Sequence, residues 1–175
     1  MVINISEIIS TTGKAETYSV NIDMDTLNMN GTAYPFVKKA PVALTIANTG
    51  NREITIDGRI DAVINIPCDR CLEDVPVDFN LDIHKEIDFK STDEERIQAL
   101  DETSYLDHSQ LDVDLLVYNE IFVHFPMKTL CRKDCKGLCI KCGQNLNKGE
   151  CGCDRVSLDP RMSAIRDIFN NFKEV

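Results

Sequence analysis

A chain of 175 residues with 43% hydrophobic side chains can bury one sizeable core, plus a satellite module too small to fold without help. Its formal charge of −10 speaks against indiscriminate binding of nucleic acid, but the distribution matters more than the sum: residues 72–114 carry three basic and fourteen acidic side chains, residues 128–155 seven basic and three acidic. No apolar run approaches the roughly 18 residues of a membrane span, and residues 1–10 offer no secretory signal, so the expectation is a cytoplasmic chain with reduced thiols and no membrane partner.

In chain order, Tyr18, Val20, Ile22 and Met24 alternate with polar residues and predict a strand, and Gly31 and Pro35 break whatever follows; the first forty residues say little more. Val42, Leu44 and Ile46 alternate again, and Asn48-Thr49-Gly50-Asn51 supplies the turn chemistry of a first hairpin. The clearest pattern follows. Ile54, Ile56, Ile60, Ala62, Ile64 and Ile66 oppose Glu53, Thr55, Asp57, Arg59, Asp61 and Asn65. After residues 67–74, Val75, Val77, Phe79, Leu81, Ile83, Ile87 and Phe89 oppose Asp78, Asn80, Asp82, His84, Glu86 and Asp88. Period-two runs of this length predict two long antiparallel strands, each burying one side, with Gly58 marking a bulge or bend. Cys68 and Cys71 fall at the hairpin tip.

Residues 91–110 form an acidic connection. Thr92 and Glu95 match a capping box, which predicts a short helix through Leu100 and then a flexible loop. From Asp112 the period turns helical: Val113, Leu116, Val117 and Ile121 form an apolar stripe, widened by Leu115, Phe122 and Phe125 and stopped by Pro126. Asp159-Pro160 is a helix start, followed at helical spacing by Ile165, Ile168, Phe169 and Phe172, a stripe for the protein's own core or for a partner. The predicted fold is α+β: an antiparallel sheet, with a partly closed barrel as a variant, packed by a helix (about 112–125) within residues 1–127, then a Cys-rich module (128–158) and a terminal helix (159–175).

All eight cysteines come in short-spaced pairs: Cys68 with Cys71, Cys131 with Cys135, Cys139 with Cys142, Cys151 with Cys153. A tight turn presents two thiolates on one side, and a second turn brought across an ion completes a tetrahedral shell, so the pattern predicts one or two zinc ions. The polar residues 143–150 can reverse the chain between Cys142 and Cys151, which favours Cys139, Cys142, Cys151 and Cys153 as one site and Cys68, Cys71, Cys131 and Cys135 as the other. An interleaved arrangement and a single occupied site remain alternatives.

Four thiolates around an ion leave no position for water or substrate, and no nucleophile with a base or Gly-rich phosphate loop is recognisable, so no enzyme and no small-molecule substrate are expected. His84, His108 and His124 read as a strand-face, a loop and a helix-end residue. Arg70, between Cys68 and Cys71, could lower a thiol pKa, and a redox sensor that releases zinc on oxidation is the alternative function. The basic side chains around the module, Lys128, Arg132, Lys133, Lys136, Lys141, Lys148 and Arg155, are candidates for contact with RNA phosphate.

Taken together, CDRCLED after a long strand, a helix ending FPMKTLC, then DCKGLCIKCGQNLN, CGC and DPR resemble the YceD family, the large ribosomal RNA subunit accumulation proteins, from about Ile54 to Ile168. The chain departs from the family pattern at Ile140, in place of proline, and at Met162, in place of an aromatic residue. The resemblance implies a non-catalytic role in accumulation, processing or assembly of large-subunit (23S) ribosomal RNA, with that RNA, a pre-ribosomal particle or a basic large-subunit ribosomal protein as partner.

Overall fold

The computed structural model describes residues 1–50, 52–89 and 104–153. The chain opens with β1 (Val2–Asn4) and the single-turn helix α1 (Ser6–Ser10), whose short apolar run buries Ile3, Ile5 and Ile8. β2 (Ala15–Val20) follows, then a hairpin of β3 (Thr26–Met29) and β4 (Thr32–Lys39). That hairpin turns on Asn30 and Gly31, both at positive φ (50° and 81°), the two-residue turn whose twist matches paired strands. β5 (Val42–Gly50), β6 (Glu53–Pro67) and β7 (Asp74–Asp88) complete a six-stranded antiparallel sheet.

β6 is its spine. One edge pairs with β7 over all fifteen residues, from Glu53 opposite Asp88 to Pro67 opposite Asp74. The other edge is shared: β5 pairs with Glu53 through Arg59, and β4 with Ala62 through Ile64. β4 and β5 run in the same direction and are joined by Ala40 and Pro41 alone, the Ala40 N–H donating to the Asp61 carbonyl at 3.0 Å. They act as one row interrupted at a proline, which has no N–H for a ladder. β2 pairs with β5 only as far as Val20 opposite Val42, where β5 begins, so the alternation through Ile22 and Met24 does not extend the strand. Ile22 is nonetheless buried.

Three further expectations are corrected. Pro35 lies inside β4 rather than ending it; the ladder with β6 starts only at Phe36, so no bond to that strand is lost. Gly58 marks no bulge: it stands in an unbroken ladder opposite Leu44, and a Cβ there would lie 2.6 Å from Leu44 Cδ2 and 2.7 Å from the Ala43 carbonyl oxygen. The barrel variant does not form, because β2, β3 and β7 each pair with a single strand and the sheet stays open.

The expected loop after residue 100 is instead structured from Leu106. β8 (Leu106–Asp107) and β9 (Gln110–Asp112) make a hairpin with His108 at φ 52°, and β9 pairs with β1 in a three-stranded sheet. α2 (Val113–Val123) begins at once, with Asp112 Oδ1 accepting from the N–H groups of Asp114 (3.0 Å) and Leu115 (3.3 Å). Val113, Leu116, Val117 and Ile121 are fully buried, whereas Phe122 is half exposed, its ring 6.2 Å from that of Tyr118. Glu120, polar yet buried on the same helix, is held by Lys85 at 2.6 Å. Among the described residues, the two sheets and two helices share one hydrophobic core, in which each fully buried isoleucine contributes about 1.5–3 kcal/mol.

The chain divides into two compact units. The first is Met1–Pro67 with Asp74–Thr129; the second joins Cys68–Glu73, the segment between β6 and β7, to the described residues from Leu130 onward. The helices expected at 92–100 and 159–175 lie outside the described residues. No helix among the described residues is long and apolar enough to cross a membrane.

Candidate metal centre

The two Cys-x-x-Cys segments fold alike. In Cys68-Asp69-Arg70-Cys71-Leu72 the Leu72 N–H donates to the Cys68 carbonyl at 2.9 Å, with Leu72 at φ 60°. In Cys139-Ile140-Lys141-Cys142-Gly143 the Gly143 N–H donates to the Cys139 carbonyl at 2.8 Å, with Gly143 at φ 74°. A turn this tight points backbone N–H groups at the first sulfur and ends in a left-handed residue. Glycine enters that conformation freely; for a leucine it costs about 1–2 kcal/mol.

Around these turns the structure gathers the cysteines into two groups of four. Cys68, Cys71, Cys131 and Cys135 form the first centre and Cys139, Cys142, Cys151 and Cys153 the second, with all sulfurs of a group within 4.8 Å of one another. In the first centre Cys68 and Cys135 Sγ are 3.9 Å apart and Cys71 and Cys131 Sγ 3.6 Å. A tetrahedron of thiolates about 2.3 Å from a zinc ion has edges of about 3.8 Å. The separations therefore suit a four-thiolate metal, and all eight sulfurs belong to free cysteines.

Short bonds within the second unit hold this arrangement. Arg70 donates from Nη1 to the Cys135 carbonyl at 2.8 Å, and its own carbonyl accepts the Leu138 N–H at 3.0 Å. Gly137, at φ 76°, permits the approach, since a Cβ there would meet the Arg70 carbonyl oxygen at 3.0 Å. The Cys139 N–H reaches the Gln144 carbonyl (2.8 Å) and the Leu146 N–H the Gly137 carbonyl (2.9 Å), so residues 143–150 do reverse the chain. Sequence reading missed Asn147, whose side chain donates from Nδ2 to Cys135 Sγ at 3.2 Å. An amide in a polar loop between cysteine pairs was its only signal.

The thiols ionise unevenly. For Cys68 burial opposes the charge, but N–H groups of Cys131, Arg70 and Cys71 outweigh it and hold the pKa down to about 6. Arg70 thus acts on Cys68 through its backbone, while its guanidinium binds a carbonyl. Cys139 is likewise held at about 6 by the N–H groups of Cys142 and Lys141, and Cys135 is lowered chiefly by Asn147. Cys131 is pushed up to about 12 by burial and the neighbouring thiols, and Cys153 to about 12 by Cys142 and Cys151. Negative charge is favoured at Cys68, Cys135 and Cys139 and resisted at Cys71, Cys131 and Cys153. A dication held by these thiols would relieve that conflict and favour their deprotonation.

The three histidines lie outside both groups. His84 Nδ1 meets Asp57 at 2.6 Å, His108 Nδ1 meets Asp107 at 2.7 Å, and His124 Nδ1 lies 2.9 Å from the Glu120 carbonyl at the end of α2. Among the basic candidates, Arg132 is engaged by Asn147 (2.7 Å) and Asp134 (3.7 Å), and Lys148 by Glu73 (2.7 Å). Lys133, Lys136 and Lys141 are exposed side chains of the second unit and make no ion pair among the described residues. Lys128 is an exposed residue of the first unit, and Arg155 lies outside the described residues.

Comparison with known proteins places the chain among relatives. The family described as "Large ribosomal RNA subunit accumulation protein YceD" matches residues 56–169. The chain is 34% identical over 50 residues to the Arabidopsis thaliana "Large ribosomal RNA subunit accumulation protein YCED homolog 1, chloroplastic", covering 29% of this chain and 16% of the relative. It is 24% identical over 196 residues to the Zea mays protein of the same description, covering 95% of this chain and 65% of the relative. It is also 24% identical over 129 residues to "Uncharacterized protein YlbN" of Bacillus subtilis (strain 168), covering 73% of each. The chain therefore spans less than two thirds of either plant relative. No solved structure matches. With the family match extending from within β6 through both cysteine groups, the chain belongs to the YceD family of large ribosomal RNA subunit accumulation proteins.

Proposed function

We infer that this protein is a non-catalytic factor for accumulation of large-subunit ribosomal RNA, acting in the cytoplasm, with a second unit built around two structural zinc ions that carries the RNA contact. The carrying observation is the pair of four-cysteine groups, the sulfurs of each within 4.8 Å of one another. Zinc fits thiolates best among abundant divalent ions, and a shell of four sulfurs is closed, so the ion organises the chain rather than activating water. When bound, each ion would hold two chain segments together; the residues of this chain do the rest.

Those residues favour a phosphate partner. Lys133 and Lys136 flank Cys135 and Lys141 precedes Cys142, so these exposed cations stand on the turns that carry the grouped cysteines. Cations fixed on turns lose little entropy when they meet a phosphate, and the acidic first unit keeps the affinity from becoming indiscriminate. The test is binding of the metal-loaded chain to fragments of large-subunit ribosomal RNA across a salt series, beside the K133E/K136E/K141E variant. The expected result is salt-sensitive binding that the variant loses, with a shallower salt slope. Binding by neither protein would shift the reading to a basic ribosomal protein as partner, and wild-type affinity in the variant would remove the contact from this unit.

A further inference from the structure

The loop that closes the second centre also reaches into the first. Asn147 lies between Cys142 and Cys151, yet its side chain bonds to none of the residues there. Its Oδ1 accepts from the Arg132 guanidinium at 2.7 Å and from the Lys136 N–H at 2.8 Å, and its Nδ2 donates to Cys135 Sγ at 3.2 Å. One amide thus grips residues 132–136 at three points. Its own position is set from the other side: the Asn147 N–H donates to Asn145 Oδ1 at 2.9 Å, Leu146 N–H to the Gly137 carbonyl at 2.9 Å, and Cys139 N–H to the Gln144 carbonyl at 2.8 Å. These bonds fold residues 144–147 back onto residues 137–139, at the start of the second centre.

We propose that Asn147 is a positioning residue of the 68/71/131/135 centre, supplied by the loop of the 139/142/151/153 centre, so that metal bound at the second raises the affinity of the first. The inference rests on the reading of both groups as metal centres. An ion held by Cys139, Cys142, Cys151 and Cys153 pins both ends of residues 143–150. Without it the loop has many conformations, and Asn147 meets Cys135 in only a fraction of them. Apparent affinity at the first centre falls by that fraction. Outer partners of metal ligands are worth about 10- to 100-fold in affinity, and the coupling is reciprocal, so filling the first centre favours the second by the same factor.

The test uses the full chain and cobalt(II), whose thiolate charge-transfer and d–d bands report tetrahedral sulfur ligation, titrated against a competing chelator. Wild type is compared with C139S/C142S, which removes the second centre, and with N147A and N147D. Loss of about 10- to 100-fold in first-centre affinity is expected in C139S/C142S and in N147A, with no comparable further loss when the two are combined. N147D keeps both acceptor contacts, to Arg132 and Lys136, but replaces the donor to Cys135 with an anion; it should lose as much as N147A while the second centre fills with an unchanged spectrum. A purely architectural role would leave N147D near wild type. Wild-type first-centre affinity in C139S/C142S, or additive losses in the combined variant, overturns the coupling while leaving two metal centres. Absence of thiolate bands in wild type overturns the metal reading and the coupling with it.

Discussion

Gly58 offers a sharp test of how β6 is built. Alanine at this position places a Cβ 2.6 Å from Leu44 Cδ2 and 2.7 Å from the Ala43 carbonyl oxygen, where carbon contacts are comfortable at about 3.5–4.0 Å. Neither neighbour can yield easily. Leu44 is fully buried, and Ala43 is paired with Arg59 in the ladder between β5 and β6. Forcing an extra methyl group into such a site costs about 1–3 kcal/mol, and because one obstacle is backbone the upper end applies. Replacing glycine in a strand returns about 0.5–1 kcal/mol through the unfolded chain, leaving a net loss of about 2 kcal/mol for Gly58→Ala. With a urea m-value of about 2 kcal/mol/M, the midpoint should fall by about 1 M at unchanged m, read by far-UV circular dichroism on metal-loaded protein. Leu44→Ala relieves one of the two contacts, so the double variant should lose less than the sum of the single losses. A Gly58→Ala protein as stable as wild type would refute the close approach of β5.

Three further outcomes follow from charges in the structure. At pH 7 Cys131 and Cys153, with pKa values near 12, hold their protons, so loading each centre must release at least one; affinity should fall as pH is lowered, most steeply below about 6, where Cys68 and Cys139 are protonated as well. Calorimetry in two buffers of different ionisation enthalpy counts the protons, and a count of zero at pH 7 contradicts the assigned thiols. The hydrogen bond to Asp57, aided by its charge, raises His84 above its ordinary 6.5, so the protonated form favours the fold below that value and its contribution is lost as pH rises through the folded pKa. NMR titration should show the elevated pKa in wild type and its return towards 6.5 in Asp57→Asn. Lys85→Met strands the buried Glu120 carboxylate; because Lys85 is itself 37% exposed, the loss should be about 1–2 kcal/mol rather than the full cost of an orphaned buried charge. Lys85→Met with Glu120→Gln should recover most of it, and equal instability of the double variant in denaturant melts would refute the pairing.

How much of this was legible in the chain varies with the range of the interaction. The β6–β7 hairpin could be read almost to the residue because fifteen consecutive positions on each strand obey period two and the connection is local: residues expected at 67–74 as the link are, at its ends, the last of β6 and the first of β7. The stripe of α2 was legible for Val113, Leu116, Val117 and Ile121, but periodicity alone assigned Phe122 to the core, and the bound on the buried face decided otherwise. The cysteine spacings indicated metal chemistry and suggested a grouping, because thiolate pairs on tight turns have few other uses.

What the tertiary structure decided is what depends on partners far along the chain. β1 is three residues long and gains its identity only from β9, more than a hundred positions away. The reach of β2 is limited by where β5 begins, and β4 and β5 share an edge of β6 because Pro41 interrupts their row. Whether Gly58 bends a strand or admits a leucine, whether Pro35 ends a strand or rides in one, and whether Asn147 is a loop residue or a hand on Cys135 are questions of what stands opposite. Local periodicity reports which side of an element is apolar; it carries no record of the neighbour that side will meet, and that neighbour sets the close approaches and the polar contacts around the cysteine groups.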